Sequence, residues 1–248
     1  MTTAAADLSI PAISRAESFA LAEVAIAREL EVLRSLRPDE WELPTACPAW
    51  TVRQVVVHQV ASALAFLSPA EGIRQVRGGR RLERAEGLPP LDAFMQCGER
   101  AHDAWTWQEA LERFAAVLPR YARLRRRFPQ PLRSLVKVPT NDGKVGVGYL
   151  FDRVINRDHL MHRIDICEAT GRELVVEAGH EGRLVADVVA EWADLHGKPF
   201  DLELTGPAGG RWTRGTGGGR ITRDAIEFAQ VLSGRRPAEG LLATPVLF

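Results

Sequence analysis

Asn156-Arg-Asp-His-Leu-Met-His-Arg-Ile-Asp165 is the stretch on which the reading of this chain turns. Leu150, Val154 and Met161 recur through it at helical spacing, so the segment from about Val147 to Thr170 reads as a helix with Gly171 as its stop. Residues four apart share one helix face, which points Asp158 and His162 the same way and brings Asp165 near them. A carboxylate and an imidazole one turn apart make two legs of a metal site, and a cation held there would give the protein a Lewis acid. A third leg is available at His58.

The neighbouring segments supply the rest of a bundle. Residues 13 to 36, with Leu21, Val24, Leu30 and Leu33, predict an amphipathic helix. Leu43 to Trp50 carries too many prolines to continue it and reads as a loop. Thr51 followed by Gln54 has the capping-box form, and Val56, Val60 and Leu67 follow at helical spacing, so a second helix starts there. Residues 71 to 90, rich in Gly, Arg and Pro, read as a mobile connection. A third helical stretch runs from about Leu91 to Phe128 with a break near Trp107, and the following FPQPLRSLVKVPTNDGK reads as irregular. Four amphipathic helices of this length specify a helix bundle.

Past Gly171 the pattern changes. A helix from about His180 to His196 precedes the alternating strand Phe200 to Thr205, and a helix from about Arg223 to Ser233 precedes an apolar tail. The glycine clusters Gly206 to Gly210 and Gly215 to Gly219 read as hairpin turns. The expected fold class is α+β: an N-terminal four-helix bundle on residues 1–174 and a small α/β domain on residues 175–248.

Composition narrows the function classes. Lys and Arg total 32 and are cancelled by 32 Asp and Glu, so no global field draws the chain to nucleic acid or to an anionic membrane. The basic run Arg120 to Arg127 reads as the solvated face and end of a helix. Three widely spaced cysteines without C-x-x-C argue for a reducing compartment over a disulfide framework. MTTAAADLSIP lacks the basic region of a signal peptide, and no apolar run is long enough to span a bilayer. A cytoplasmic protein is expected, with no nucleic-acid or membrane partner.

Each candidate ligand has a competing role. His58 lies close to the apolar stripe of its helix, where it could be a buried histidine bonded to a carbonyl, and Asp158 could pair with Arg153, Arg157 or Arg163. Three such groups on inner helix faces nevertheless need a common partner, because unpaired polar groups inside a bundle are costly. Two nitrogens and one oxygen suit zinc or a related divalent ion, with positions left for water or substrate. His159 is the rival ligand, although its direction leans toward a bundle flank. Asp165 suits orienting an imidazole or an arginine, with a salt bridge to Arg163 or Arg172 as the alternative. The glycine clusters lack the context of a phosphate loop or dinucleotide fingerprint. No G-x-S-x-G occurs, Cys47 has no evident base, and Cys97 and Cys167 read as packing residues.

Two segments carry a family likeness. Thr45-Ala-Cys-Pro-Ala-Trp-Thr-Val-Arg-Gln-Val-Val-Val-His58 resembles one signature of the mycothiol-dependent maleylpyruvate isomerase family of the DinB-like superfamily, and Asn156 to Asp165 with Ala169-Thr-Gly171 resembles its second. The end of the chain, Asp224 to Arg235 and Gly240-Leu-Leu-Ala-Thr-Pro, is similar to the C-terminal part of many members. The resemblance implies a DinB-like bundle holding a divalent metal, usually zinc, on the positions of His58, Asp158 and His162. The isomerase has glutamate where Asp158 stands, so the ligand here is shorter. It further implies mycothiol as thiol cofactor or co-substrate, a small electrophilic substrate, and cis–trans isomerisation by thiolate addition and elimination. A C-terminal arginine belongs to the isomerase site; Arg235 is the candidate here, with Arg220, Arg223 and Arg236 nearby. Mycothiol S-transfer and a non-catalytic metal- or ligand-binding role are the competing expectations, and a homodimer is compatible with the sequence.

Overall fold

Helices α1 (Arg15–Ser35), α2 (Val52–Leu67), α3 (Pro69–Glu86), α4 (Pro90–His102) and α5 (Trp107–Arg127) open the chain in a computed structural model that describes residues 8–47 and 50–248. Residues 1–7 of the N-terminal stretch, and Pro48 and Ala49 of the first signature, lie outside the described residues. A short helix α6 (Gln130–Leu135) and a hairpin of β1 (Lys137–Thr140) and β2 (Gly143–Gly146) follow. The helix expected over 147–170 is present in three joined parts: α7 (Val147–Tyr149), a π-helical turn (Leu150–Val154) and α8 (Ile155–Thr170).

The bundle closes as a ring, with α2 against α5, α5 against α1, α1 against α8 and α8 against α2. Local chemistry sets the helix ends. Thr51 caps α2 with the capping box that Gln54 completes, and Gly171 ends α8 in the left-handed conformation at φ 67°. The apolar faces meet in a core that includes Trp41, Val56, Val60, Phe114, Leu118 and Phe151. Val24, expected on the inner face of α1, is 38% exposed instead. Of the basic run, Arg120, Arg123, Arg126 and Arg127 face solvent, whereas Arg125 is buried and donates to Asn156 Oδ1 at 2.9 Å.

Three expectations about whole segments are corrected as well. Residues 71–90 are not a mobile connection: α3 occupies most of that segment, capped by Ser68 at one end and by Gly87 at φ 68° at the other. Its glycines permit close helix contact rather than chain flexibility. A Cβ on Gly72 would sit 2.5 Å from the Ala65 carbonyl oxygen of α2, and one on Gly79 would sit 3.0 Å from Phe94 Cα of α4. The stretch expected to be irregular contains α6 and the β1–β2 hairpin, in which Val138 faces Val145 across an Asn141-Asp142 turn. The third correction concerns the second glycine cluster.

Beyond α8, α9 (Glu181–His196) leads to β3 (Phe200–Thr205), β4 (Gly210–Arg214), β5 (Arg220–Asp224) and α10 (Ala225–Leu232). Strand β3 is central, antiparallel to β4 and parallel to β5. Gly206 to Gly209 therefore does form a hairpin turn, but the Gly215–Gly219 cluster carries the chain past the end of β3 to its other edge, where the Gly219 carbonyl accepts from Asp201 N at 3.1 Å. Trp192 of α9 and Phe228 of α10 pack on Phe200 and Leu202 in a second core. Leu21, Leu160, Ile164, Leu184 and Ala229 form a third apolar cluster that joins this unit to the bundle.

Buried ion pairs reinforce the seam. Glu181, fully buried, accepts from Arg28 Nη1 and His180 Nδ1, both at 2.7 Å, from Glu177 N at 2.8 Å, and from Arg163. Burial alone would push this carboxyl up, but its hydrogen bonds to His180 and Arg28 and the Arg163 charge hold it far below its ordinary value of 4.5. A carboxyl depressed on folding stabilises the native state above its unfolded value and loses that contribution as pH falls below it. Thermal stability is expected to decline from about pH 5 downward, and Glu181→Gln is expected to flatten that decline in calorimetric scans. An acid profile unchanged by the substitution would remove Glu181 from the account.

Candidate metal centre

Three side chains converge between α2 and α8. His58 Nε2 lies 3.8 Å from Asp158 Oδ1, and His162 Nε2 lies 3.1 Å from the same oxygen. One ligand atom from each of the three residues falls within 4.8 Å of the others, and no other group of this kind occurs among the described residues. The helical spacing of 158 and 162 sets the second pair, while the α2–α8 packing brings in the first.

Both rings are oriented from behind. His58 Nδ1 meets Glu99 Oε1 at 3.0 Å, and His162 Nδ1 meets Asp165 Oδ2 at 3.2 Å. An imidazole that donates Nδ1–H to a carboxylate presents its Nε2 lone pair, the arrangement common behind metal-bound histidines. Trp50 stacks on His58 with ring centroids 4.5 Å apart, lies 5.8 Å from His162, and donates its indole N–H to Glu99 Oε2 at 3.0 Å. The alternatives considered from sequence are otherwise engaged. Arg153 and Arg157 pair with Asp187, Arg163 pairs with Glu181, and Arg172 pairs with Glu40. His159 turns away to Glu29 at 2.9 Å.

Arg235 reaches this cluster from beyond α10. Its Nε and Nη2 donate to the two oxygens of Asp165 at 2.7 and 2.6 Å, so Asp165 orients an imidazole and an arginine together. Arg223 and Arg236 are occupied by Glu227 and Glu168, and Arg220 by Glu203.

The charges of the triad are tightly coupled. Burial opposes charge on both imidazoles, yet Asp158 outweighs it: His58 is raised, and His162, facing Asp165 as well, is pushed up to about 10. Burial would raise Asp158, but the two imidazoles hold it well below the usual carboxylate range. An anion flanked by two inward nitrogen atoms is satisfied either by protons or by a metal ion. The donor set, two imidazole nitrogens and one carboxylate oxygen, fits a divalent ion of the zinc class.

Sequence reading missed Glu99 and Trp50. Glu99 sits on a different helix, 41 positions from its histidine, and no local spacing marks it. Trp50 is the last residue of the proline-rich loop and, although it stands in the first signature, gives no ligand signal of its own. Cys47 also lies among these charges, near Arg235, Asp165, Asp158 and Glu99, but burial pushes its thiol up to about 11, leaving little thiolate at neutral pH.

A family model described as the mycothiol maleylpyruvate isomerase N-terminal domain matches residues 22–167, more than half of the chain and inclusive of all three converging residues. The chain belongs to this family. Two solved structures share its fold. One is a mycothiol-dependent maleylpyruvate isomerase, with a TM-score of 0.57, and the other is a histidine-to-alanine mutant of such an enzyme, with a TM-score of 0.58. Each is 14% identical to this chain, with 90% of both chains covered. The family model ends within α8, so the likeness of fold beyond that helix rests on the solved structures, whose match covers 90% of the chain. None of the curated proteins matches the chain in sequence. No helix among the described residues is long and apolar enough to cross a membrane.

Proposed function

We propose that this protein is a cytoplasmic, metal- and thiol-dependent enzyme that acts on a small electrophile by cis–trans isomerisation, with mycothiol as its thiol. His58, Asp158 and His162 hold the divalent ion, zinc in preference to others. The observation that carries this reading is the convergence of two Nε2 atoms on one Asp158 oxygen, each ring braced at Nδ1 by a carboxylate. A bound divalent ion would supply Lewis acidity and favour the thiolate form of a thiol.

The protein's own residues do the positioning. Glu99 and Asp165 fix the ring orientation and tautomer of the two histidines. Trp50 covers both rings and limits water at that face. Arg235 has Nε and Nη2 bound to Asp165, which leaves Nη1 to orient a substrate carboxylate. The reading divides labour at 174/175: residues 1–174 carry the cation ligands, and residues 175–248 deliver Arg235.

The test is an assay of maleylpyruvate with zinc-loaded protein, with and without mycothiol. Isomerisation that needs the thiol and returns it unconsumed is expected. Thiol retained in the product would identify S-transfer, the second reading. Turnover indifferent to the thiol would sink both.

A further inference from the structure

One helical turn along the bundle from the triad lies a recess of about 250 Å³, lined by Ser62, Ala65, Phe66, Phe94, Met95 and Ile155 among others. Its relation to the site follows from three helices at once. Ser62 is four residues after His58 on α2, Ile155 three before Asp158 on α8, and Met95 four before Glu99 on α4. Residues at these spacings share a helix face, so each wall residue sits one turn, about 5.4 Å, from a residue of the site. Two of the helices run one way and α2 the other, so the three displacements agree in direction.

The walls carry almost no polarity. Ser62 turns its hydroxyl onto Met95 Sδ at 3.3 Å, and the one charged lining residue, Lys137, is exposed and lies at the edge. A guest there gains from leaving water and meets only Lys137 as a charged neighbour. An apolar cavity of about 150 Å³ already accepts a benzene ring, so this volume suits a single aryl ring or a short alkyl chain. Two other recesses of similar volume are lined with charged groups, Arg28, Arg163 and Glu173 in one and Glu99, Arg100 and Asp103 in the other, so neither offers an apolar tail the same environment.

We propose that this recess binds an apolar tail of the electrophile handled at the triad, so that an activated alkene carrying a carboxylate for Arg235 and an aryl or alkyl substituent for the recess is preferred over the unsubstituted compound. The inference rests on the function proposed above. The reaction it serves is thiol addition, in which sulfur bonds to the β-carbon of the alkene and the thiol proton ends on the α-carbon. Elimination reverses both steps.

The experiment uses the full chain with ¹³C-methyl methionine. Met95 lines the recess, and Met161, fully buried on α8, serves as the internal reference. Titration with 1-butanol through 1-octanol is expected to shift the Met95 methyl, with affinity rising about fourfold per added methylene until the recess is full. Ala65→Phe is expected to abolish that dependence, and Phe94→Ala to extend it to longer chains should the first variant fold poorly. In turnover with mycothiol and zinc, kcat/KM for cis-4-oxo-2-alkenoates of increasing chain length is expected to rise along the same series. Thiol-dependent turnover with no dependence on chain length overturns this inference alone. A length-dependent Met95 response in protein that binds no zinc and consumes no thiol overturns the proposed function, and with it the assignment of the recess to a substrate.

Discussion

His58→Ala is expected to leave the protein without a stoichiometric divalent ion under conditions in which the parent chain binds one, and to abolish thiol-dependent turnover. His58 is the member of the triad contributed by α2; its Nε2 faces Asp158 at 3.8 Å while Glu99 holds its other nitrogen at 3.0 Å. Removing an orienting carboxylate behind a metal-bound histidine costs on the order of 10–100-fold in metal affinity. Glu99→Gln is therefore expected within that range, and His58→Ala well beyond it. Zinc titration by calorimetry, with elemental analysis of untagged protein, measures both. Because the ring stacks on Trp50 and is buried, far-ultraviolet circular dichroism must show that the variant keeps its helices. A folded His58→Ala protein that binds zinc as tightly as its parent would remove this triad as the metal site.

The second large effect is on stability. Asp187→Ala is expected to destabilise the fold by about 3–5 kcal/mol, the range for deleting one partner of a buried ion pair. Asp187 of α9 is buried and receives Arg153 Nε at 2.9 Å and Arg157 Nη2 at 2.5 Å. Arg157 is fully buried and also donates to the Leu247 carbonyl at 3.0 Å, so its charge cannot retreat to water. Glu191, 2.9 Å from Arg157, is the remaining counter-charge. Urea unfolding at neutral pH reads the loss. Combining Arg157→Met with Asp187→Leu is expected to recover much of it, because apolar replacement of a whole buried pair is often neutral. A loss below about 1 kcal/mol for Asp187→Ala would mean that Glu191 alone satisfies the arginine.

Much of the helical framework was legible because capping and periodicity are local. Thr51 with Gln54, and Gly171 after Thr170, marked ends that the structure places at those residues. Glycine misled where it had two possible meanings. In 71–90 it read as looseness, whereas Gly72 and Gly79 are small so that α3 can approach α2 and α4. In 215–219 it read as a hairpin, and only the pairing of β5 beside β3 shows a crossing between sheet edges. A glycine states that no side chain fits or that the backbone is free, and sequence alone does not say which.

The candidate site divides along the same line. That Asp158, His162 and Asp165 share one face of one helix followed from the chain alone, because 3.6 residues per turn is a property of the backbone. Sequence composition also determined that neither global charge nor a cysteine framework organises the molecule. The tertiary structure decided everything that depends on packing between distant segments: that α2 sets His58 opposite Asp158, that Glu99 of α4 stands behind His58, and that Arg235 comes to Asp165 from 70 positions away. Distances between helices are set by how side chains interlock, and no periodicity within one helix encodes its separation from another.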